Sequence, residues 1–272
     1  MNIQTKIKST LQKEKISKKS KIIVALSGGK DSAVTAYFLK ELGYNIEGFH
    51  IDLKVGKYSE KCLEKIKELC KELKIKLKVY DMKKECGSGM CYLRSKVQSN
   101  QKTSGLKNCA ICGVIKKSIL NKEVRKLKAD YIATGHNLDD EAQTFLINIL
   151  KGCPELSANT GVVTKNISDK KFIPRLKPLF YIPEDEIRQL SKKQKLPVHY
   201  ESCPCLTDSY RKQVREFLWT LDNKKKQNII NNFEKLQPKI EKLKTGEGVK
   251  YCEKCGEPSR GKICKKCELL KA

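Results

Sequence analysis

The chain has 272 residues, of which 57 are Lys or Arg and 31 are Asp or Glu, so its formal net charge at pH 7 is +26. No stretch is apolar enough to cross a membrane, and the Lys-rich N-terminus lacks the apolar segment of a secretory signal. We therefore expect a cytoplasmic protein without a membrane partner. The charge indicates a polyanionic partner such as RNA, although lysines spread over helix surfaces would also account for it.

The N-terminal residues 1–20 are rich in lysine and contain no cysteine. Their apolar residues recur with a weak helical period at Ile3, Ile7, Leu11 and Ile16. This pattern fits either a basic helix that faces RNA or a frayed, solvated arm, and the solvated arm is the expected form.

The next segment, residues 21–26, is a β-branched apolar run typical of a buried strand. It leads into the motif SGGKDS at residues 27–32, and apolar residues at helical spacing then continue to Gly43. Paired glycines allow backbone N–H groups to approach an anion, and a helix N-terminus favours negative charge. The motif fits neither GxxxxGK[ST] nor GxGxxG. It resembles the PP-loop of ATP pyrophosphatases, which split ATP into AMP and pyrophosphate while activating a substrate oxygen.

Further strands alternate with helices along the chain. We predict strands over 45–52, 75–81 and 131–135, with a helix over 58–73, which gives a doubly wound, mainly parallel α/β sheet. Ligands of such sheets bind at the carboxyl ends of the strands. The sequence HNLDDE at 136–141 opens another helix, where Asp139 and Asp140 either cap the helix or reach a magnesium nucleotide.

Thirteen cysteines in a cytosolic chain favour metal or sulfur chemistry over disulfides. A long loop or short-helix excursion over 82–108 contains Cys86 and Cys91, which are either a redox pair or inert. Cys109 and Cys112 follow as a CxxC before a basic helix over 114–128, a position that lowers thiol pKa values. Two further basic helices are predicted over 210–221 and 224–244, the second interrupted near Pro238.

The C-terminal cysteines form a CxxC-x8-CxxC motif. Two such pairs supply four thiolates, which suit a structural zinc ribbon, and a rubredoxin-like iron site is the alternative. The four candidate ligands are Cys252, Cys255, Cys264 and Cys267.

Cys109 and Cys112, together with Cys203, supply three further thiolates. Three protein ligands on a [4Fe-4S] cluster leave one iron free to bind sulfide. Spacing alone leaves two other interpretations open. Cys205 could complete a four-cysteine zinc site, or two of these thiols could form a persulfide and its resolving disulfide.

The ordered motifs SGGKDS, CAICG, ATGHNLDDEAQT, ESCP and CxxC-x8-CxxC resemble those of TtuA-type tRNA 2-thiolation enzymes, a group shared with the cytoplasmic wobble-uridine thiolases. The resemblance runs from residue 21 to residue 267. It implies a PP-loop ATPase domain over 21–182 after the basic arm 1–20, a helical segment over 183–247 and a small zinc ribbon over 248–272. The implied reaction adenylates the C2 oxygen of a tRNA uridine and replaces that oxygen with sulfur.

The same resemblance implies the site. Its cofactors are ATP, Mg²⁺, a [4Fe-4S] cluster on Cys109, Cys112 and Cys203, and Zn²⁺. Lys30 and Lys116 would contact phosphate, and Asp31 or Asp140 would bind magnesium or a proton. Asp31, Lys116 and Asp140 are thus the expected catalytic residues. The implied ATP contacts are Ala25, Leu26, Ser27, Gly28, Gly29, Lys30, Asp31, Ser32, Ile51, Lys116, Gly135 and Asp140.

The expected partners are tRNA, a sulfur donor (a ubiquitin-like carrier or inorganic sulfide) and a second copy of the chain in a homodimer. Members of this group usually begin with a further four-cysteine zinc module and carry an aromatic residue where Cys205 stands. Two other functions compete with thiolation. A PP-loop ligase of the lysidine-synthetase type would need no cluster, and an RNA-binding or sulfur-relay adaptor would need no catalysis.

Overall fold

The computed structural model describes residues 2–164, 169–206, 209–242 and 249–271. Its main sheet is parallel, with the strand order β3-β2-β1-β4-β5. This confirms the predicted doubly wound α/β class. The strands are β1 (Lys21–Ala25), β2 (Asn45–Asp52), β3 (Leu77–Asp81), β4 (Tyr131–Ala133) and β5 (Arg175–Leu176). Chain order reverses between β1 and β4, and ligands of open α/β sheets bind at such a point.

The helices of the described residues cover both faces of this sheet and form the C-terminal segment. They are α1 (Ile3–Lys13), α2 (Lys30–Glu41), α3 (Gly56–Glu72), α4 (Met82–Cys86), α5 (Met90–Ser99), α6 (Asn108–Lys126), α7 (Leu138–Leu150), α8 (Glu184–Lys193), α9 (Ser209–Trp219), α10 (Asn223–Lys242) and α11 (Lys265–Lys271).

The N-terminal segment is not the solvated arm that we expected. Helix α1 buries Ile7 and Leu11 completely in the main apolar core. Lys6 also pairs with Glu186 of α8, with 3.1 Å between Nζ and Oε2. The prediction of a frayed arm is therefore wrong, because the few apolar residues lie on one face and the fold supplies a surface for them.

Helix α10 does not break at Pro238, which lies inside it. Proline removes one backbone N–H bond, but tertiary contacts just before Pro238 hold the helix in place. Phe233 stacks on Phe145 of α7 with 3.5 Å between ring centroids, and Gln237 donates to the carbonyl of Thr160 at 2.8 Å. The predicted interruption is therefore wrong.

The C-terminal region forms a small antiparallel hairpin of β6 (Lys250–Tyr251) and β7 (Pro258–Ser259), followed by α11. The predicted boundary between residues 247 and 248 lies outside the described residues. A second apolar core, which includes Met90, Ile111 and Leu269, joins α5, α6 and α11.

None of the helices in the described ranges combines the length and the apolar character that a membrane crossing requires.

Candidate functional site

The PP-loop joins β1 to α2 at the point where the strand order reverses. Gly28 has a φ of +87°, and a Cβ at this position would lie 2.8 Å from the Cβ of Cys62. Both facts require glycine. The hydroxyls of Ser27 and Ser32 are 3.1 Å apart, and Ser32 Oγ donates to the carbonyl of Gly29 at 3.0 Å. These bonds shape the loop and leave the free N–H groups of the first turn of α2 for an anion.

Gly135 lies after β4 and touches the start of α2. A Cβ here would come within 2.6 Å of the backbone carbon of Asp31 and 2.7 Å of the nitrogen of Ser32. Neither backbone atom can move aside easily, so only glycine lets β4 approach the PP-loop this closely. The predicted ATP contacts at the ends of β1 and β2 also adjoin the loop. Leu26 N donates to the carbonyl of Phe49, two residues before Ile51.

Polar side chains connect the PP-loop to two other elements. Lys30 Nζ donates to Asp31 Oδ2 at 3.0 Å and to Glu184 Oε1 of α8 at 2.8 Å. Asn137 Nδ2 donates to Asp31 Oδ1 at 3.0 Å. The structure thus places Lys30 beside Asp31, and Asp31 and Asp140 line one cavity. It adds Glu184, which sequence reasoning missed because a carboxylate in the first turn of a helix is ordinary.

The two aspartates of HNLDDE have different environments. Asn137 caps α7, and Asp140 completes a capping box with it. Burial, followed by the charge of Asp31, raises the pKa of Asp140 to about 6. Asp139 instead accepts a 2.6 Å hydrogen bond from Lys226 Nζ of α10, and both side chains are buried. Asp139 therefore anchors α10, while Asp140 remains available for chemistry.

A cavity of about 220 Å³ opens beside these acids. Its lining includes Asp31, Asp140, Glu184, Arg215 and Trp219. Carboxylate oxygens are the ligands that Mg²⁺ prefers, and Mg²⁺ usually binds through one or two carboxylates together with substrate phosphates. The cavity thus has the size and the donors for part of a magnesium nucleotide.

The predicted cluster ligands lie around the start of α6. Cys109 and Cys112 lie in that turn and Cys203 comes from the segment after α8; each is half-buried. Burial raises the pKa of Cys112, and so do the charges of Cys203 and Cys109. The cations Lys116 and Arg94 lower that pKa, but by less than burial raises it. The three thiols are therefore electrostatic neighbours. The expected lowering of the thiol pKa is wrong for Cys112, because burial outweighs the helix N-terminus. Three soft sulfur donors fit a [4Fe-4S] cluster.

Arg94 of α5 adds two further cysteines to this region. It is only 8% exposed, and its terminal nitrogen Nη2 donates to Cys205 Sγ at 2.9 Å and to Cys91 Sγ at 3.1 Å. Cys205 is thus bound to Arg94, which does not favour its use as a zinc ligand. Sequence reasoning missed Arg94, since it is one of many basic residues on an amphipathic helix.

The C-terminal cysteines have the geometry of a metal site. The sulfur atoms of Cys252, Cys255, Cys264 and Cys267 all lie within 4.8 Å of one another. Backbone N–H groups of Cys264, Cys255 and Lys254 outweigh burial and lower the pKa of Cys252 to about 6. Burial raises the pKa values of Cys264 and Cys267. Four sulfur atoms gathered this closely suit a four-cysteine zinc site. Among the residues that the structure describes, this is the one group of His, Cys, Asp and Glu with ligand atoms gathered so tightly.

Comparisons with known proteins agree with this geometry. A family profile described as a PP-loop domain matches residues 1–220. The tRNA-5-methyluridine(54) 2-sulfurtransferase of Pyrococcus horikoshii is 35% identical over 98% of this chain and 84% of its own. Cytoplasmic tRNA 2-thiolation protein 1 of Drosophila grimshawi is 33% identical over 92% and 73%, respectively.

A solved structure gives the same result. The U34-tRNA thiolase NcsA from Methanococcus maripaludis, described with its [4Fe-4S] cluster, superposes with a TM-score of 0.80 at 29% identity. The match covers 99% of this chain and 86% of that one. With a PP-loop at the reversal of strand order and these relatives, the chain belongs to the PP-loop family of tRNA 2-thiolation enzymes.

Proposed function

We propose that this protein catalyses ATP-dependent 2-thiolation of a tRNA uridine, in which the C2 oxygen is adenylated and then replaced by sulfur. One observation carries the proposal: the segment that leads to Cys203 is hydrogen-bonded to the PP-loop. His199 N donates to the carbonyl of Gly28 at 2.8 Å, four residues before Cys203. Cys62, which abuts Gly28, has its pKa raised by burial and also by the charge of Cys203.

In the first step, the adenylation of the uridine, different side chains contact different parts of ATP. The PP-loop N–H groups and Lys30 bind the phosphates that leave as pyrophosphate. Asp31 and Asp140 hold Mg²⁺ or accept a proton, and Asp140 is ionised above a pH of about 6. Lys116, one helical turn after Cys112, reaches the reacting phosphate. These residue roles rest on the family motifs and on the contacts described above.

The metals belong to two separate sites. Cys109, Cys112 and Cys203 would hold the [4Fe-4S] cluster, and Cys252, Cys255, Cys264 and Cys267 would hold Zn²⁺. When bound, such a cluster would supply one iron without a protein ligand, which is suited to sulfur chemistry. The zinc site has four protein ligands and therefore a structural role.

The partners and the location follow from the same family. The sulfur donor is a ubiquitin-like carrier or inorganic sulfide, and the working unit is a homodimer in the cytoplasm. A relative whose name includes the word cytoplasmic supports this location.

The test is a cysteine substitution in protein purified anaerobically. Cys203→Ala should lose cluster iron and tRNA thiolation but keep ATP binding. Cys153→Ala is the matched control, because Cys153 is half-buried outside the site and its thiol donates to the carbonyl of Lys151 at 3.5 Å. The readouts are iron content, tRNA-dependent AMP release and mass spectrometry of tRNA nucleosides. Full thiolation by Cys203→Ala would refute the cluster hypothesis. AMP release by a colourless, active protein would favour a ligase of the lysidine-synthetase type. No AMP release at all would favour the RNA-binding or sulfur-relay adaptor.

A further inference from the structure

The indole ring of Trp219 lines the cavity beside the PP-loop and is nevertheless largely exposed. Trp219 is the last residue of α9, and its side chain belongs to a residue that is 61% exposed. Asp31 of the PP-loop and Arg215 of α9 line the same cavity. A large aromatic ring that stays in water at the edge of a candidate site, rather than in the core, is a candidate contact for a ligand.

Helix α9 holds this ring in a fixed place. Its inner face carries Leu218, which is buried in the main core. Gln143 of α7 donates to the carbonyl of Arg211 at 2.9 Å and accepts a 2.7 Å hydrogen bond from Nε of the same arginine. After the helix, Leu221 N donates to the carbonyl of Leu218 at 3.1 Å. The backbone that carries Trp219 is therefore anchored on both sides, and a ligand can stack on the ring without first ordering the helix.

A second side chain on the same side of α9 adds positive charge. Residues four apart on an α-helix lie about 40° apart around its axis, so Arg215 and Trp219 face the cavity together. Phe217 is also exposed, but it lies about 160° from Trp219 around the same axis, away from the cavity. An exposed aromatic ring next to an arginine is a combination with which proteins bind single-stranded nucleic acid.

The place of the ring favours a base of the RNA over the adenine of ATP. The expected ATP contacts Leu26 and Ile51 lie at the ends of β1 and β2. Helix α9 is bonded to α7, which follows β4, and β2 and β4 flank β1 on opposite sides. An ATP molecule with its phosphates on the PP-loop and its adenine toward β2 would leave Trp219 on the far side. The net charge of +26 also fits a polyanionic substrate.

We propose that Trp219 stacks on a nucleobase of the RNA substrate at the edge of the cavity. This inference rests on the proposed function, because it takes tRNA as the substrate. Stacking explains why a tryptophan stays exposed at this position. Because every base has a flat π face, the contact adds affinity rather than sequence selectivity.

The first experiment uses the fluorescence of Trp219, which is the one tryptophan of the chain. The full chain is purified anaerobically, and the probes are tRNA from a strain without 2-thiouridine and, separately, ATP with Mg²⁺. We expect tRNA to quench the fluorescence and to protect the ring from the soluble quencher acrylamide. ATP with Mg²⁺ should do neither.

The second experiment measures binding of the same two probes to variants by filter binding. Trp219→Ala should raise the Kd for tRNA about fivefold or more, because one base loses its stacking partner. The slope of log K against log salt should not change, since no charge is removed, and the Kd for ATP should stay within about twofold. Trp219→Phe keeps an aromatic ring and should restore most of the affinity. Phe217→Ala is the matched control, because it removes an exposed ring from the opposite side of the same helix.

Three results would overturn the inference. The first is tRNA binding by Trp219→Ala equal to that of Phe217→Ala, or fluorescence that tRNA leaves unchanged. The second is weaker ATP binding with unchanged tRNA binding, which would assign the ring to adenine. The third is a changed oligomeric state with unchanged tRNA binding, which would assign the ring to a contact between two copies of the chain. A wild-type chain whose Trp219 is quenched by tRNA but which never thiolates would support the stacking and refute the proposed function.

Discussion

At the scale of single residues, the side chain of Asp140 is held in an environment that opposes its charge. Its pKa of about 6 lies above the ordinary value of 3.8 because of burial and the charge of Asp31. The native state therefore binds more protons than the unfolded state between about pH 4 and pH 6. Over this range ionisation of Asp140 lowers the stability as the pH rises. A carboxylate whose ionisation lowers the stability and that lines a cavity is a candidate functional residue, so Asp140 fits a chemical role.

Asp140→Asn should therefore stabilise the protein and inactivate it. At pH 7.5 we expect a gain of about 1–2 kcal/mol in the free energy of unfolding, since each pKa unit corresponds to about 1.4 kcal/mol and solvent access at the cavity reduces the effect. The gain should nearly vanish by pH 4, where Asp140 is already protonated. AMP release should fall about 10²-fold or more. Denaturant unfolding at both pH values tests this, and an equal gain at both would show that ionisation is not the cause.

At the scale of elements, α1 has become part of the domain core. Ile7 and Leu11 are fully buried in the cluster that also contains Ile22 and Val24 of β1. The strand that carries the PP-loop and the N-terminal helix therefore share one core. A loss of packing at α1 should therefore destabilise the whole domain.

Leu11→Ala should lower the free energy of unfolding by about 2–5 kcal/mol, the usual cost of removing a buried leucine. Lys8→Ala, at an exposed position of the same helix, should change it by no more than about 0.5 kcal/mol. Urea unfolding followed by the fluorescence of Trp219, the one tryptophan of the chain, reports from α9 rather than from α1. An unchanged midpoint in Leu11→Ala would mean that α1 frays independently.

The sequence predicts elements well where the local signal is strong. Strand β1 is a contiguous apolar run after Lys21, and β2 carries apolar residues at Ile46, Phe49 and Ile51. The bounds of both strands agree with the prediction to within a residue. The burial of helix α1 is not predicted by the sequence, because it depends on a surface made by distant parts of the chain. The same limit applies to Arg94 and to Glu184. Each is an ordinary charged residue in the sequence, and only the fold determines its neighbours.

At the scale of the whole molecule, the C-terminal ribbon supports the helix that carries the cluster cysteines. Arg125 near the end of α6 makes two hydrogen bonds to Glu257, the shorter one 2.6 Å. Toward the start of α6, Leu269 of α11 packs in the same core as Ile111 and Ile115, and it is 1% exposed. The ribbon thus holds α6 near both ends, and the proposed zinc site stabilises the cluster site without touching it.

Loss of the ribbon metal should therefore weaken the cluster more than the ATP site. In a Cys252→Ser, Cys267→Ser double variant purified anaerobically, we expect loss of zinc and about a twofold or greater loss of iron per chain. The Kd for ATP should stay within about twofold, because the PP-loop packs on the other core. Leu269→Ala separates metal from packing: it should keep zinc and lose part of the iron. Unchanged iron in both variants would show that the ribbon does not support the cluster, and an equal loss of ATP binding would show that the two halves unfold together.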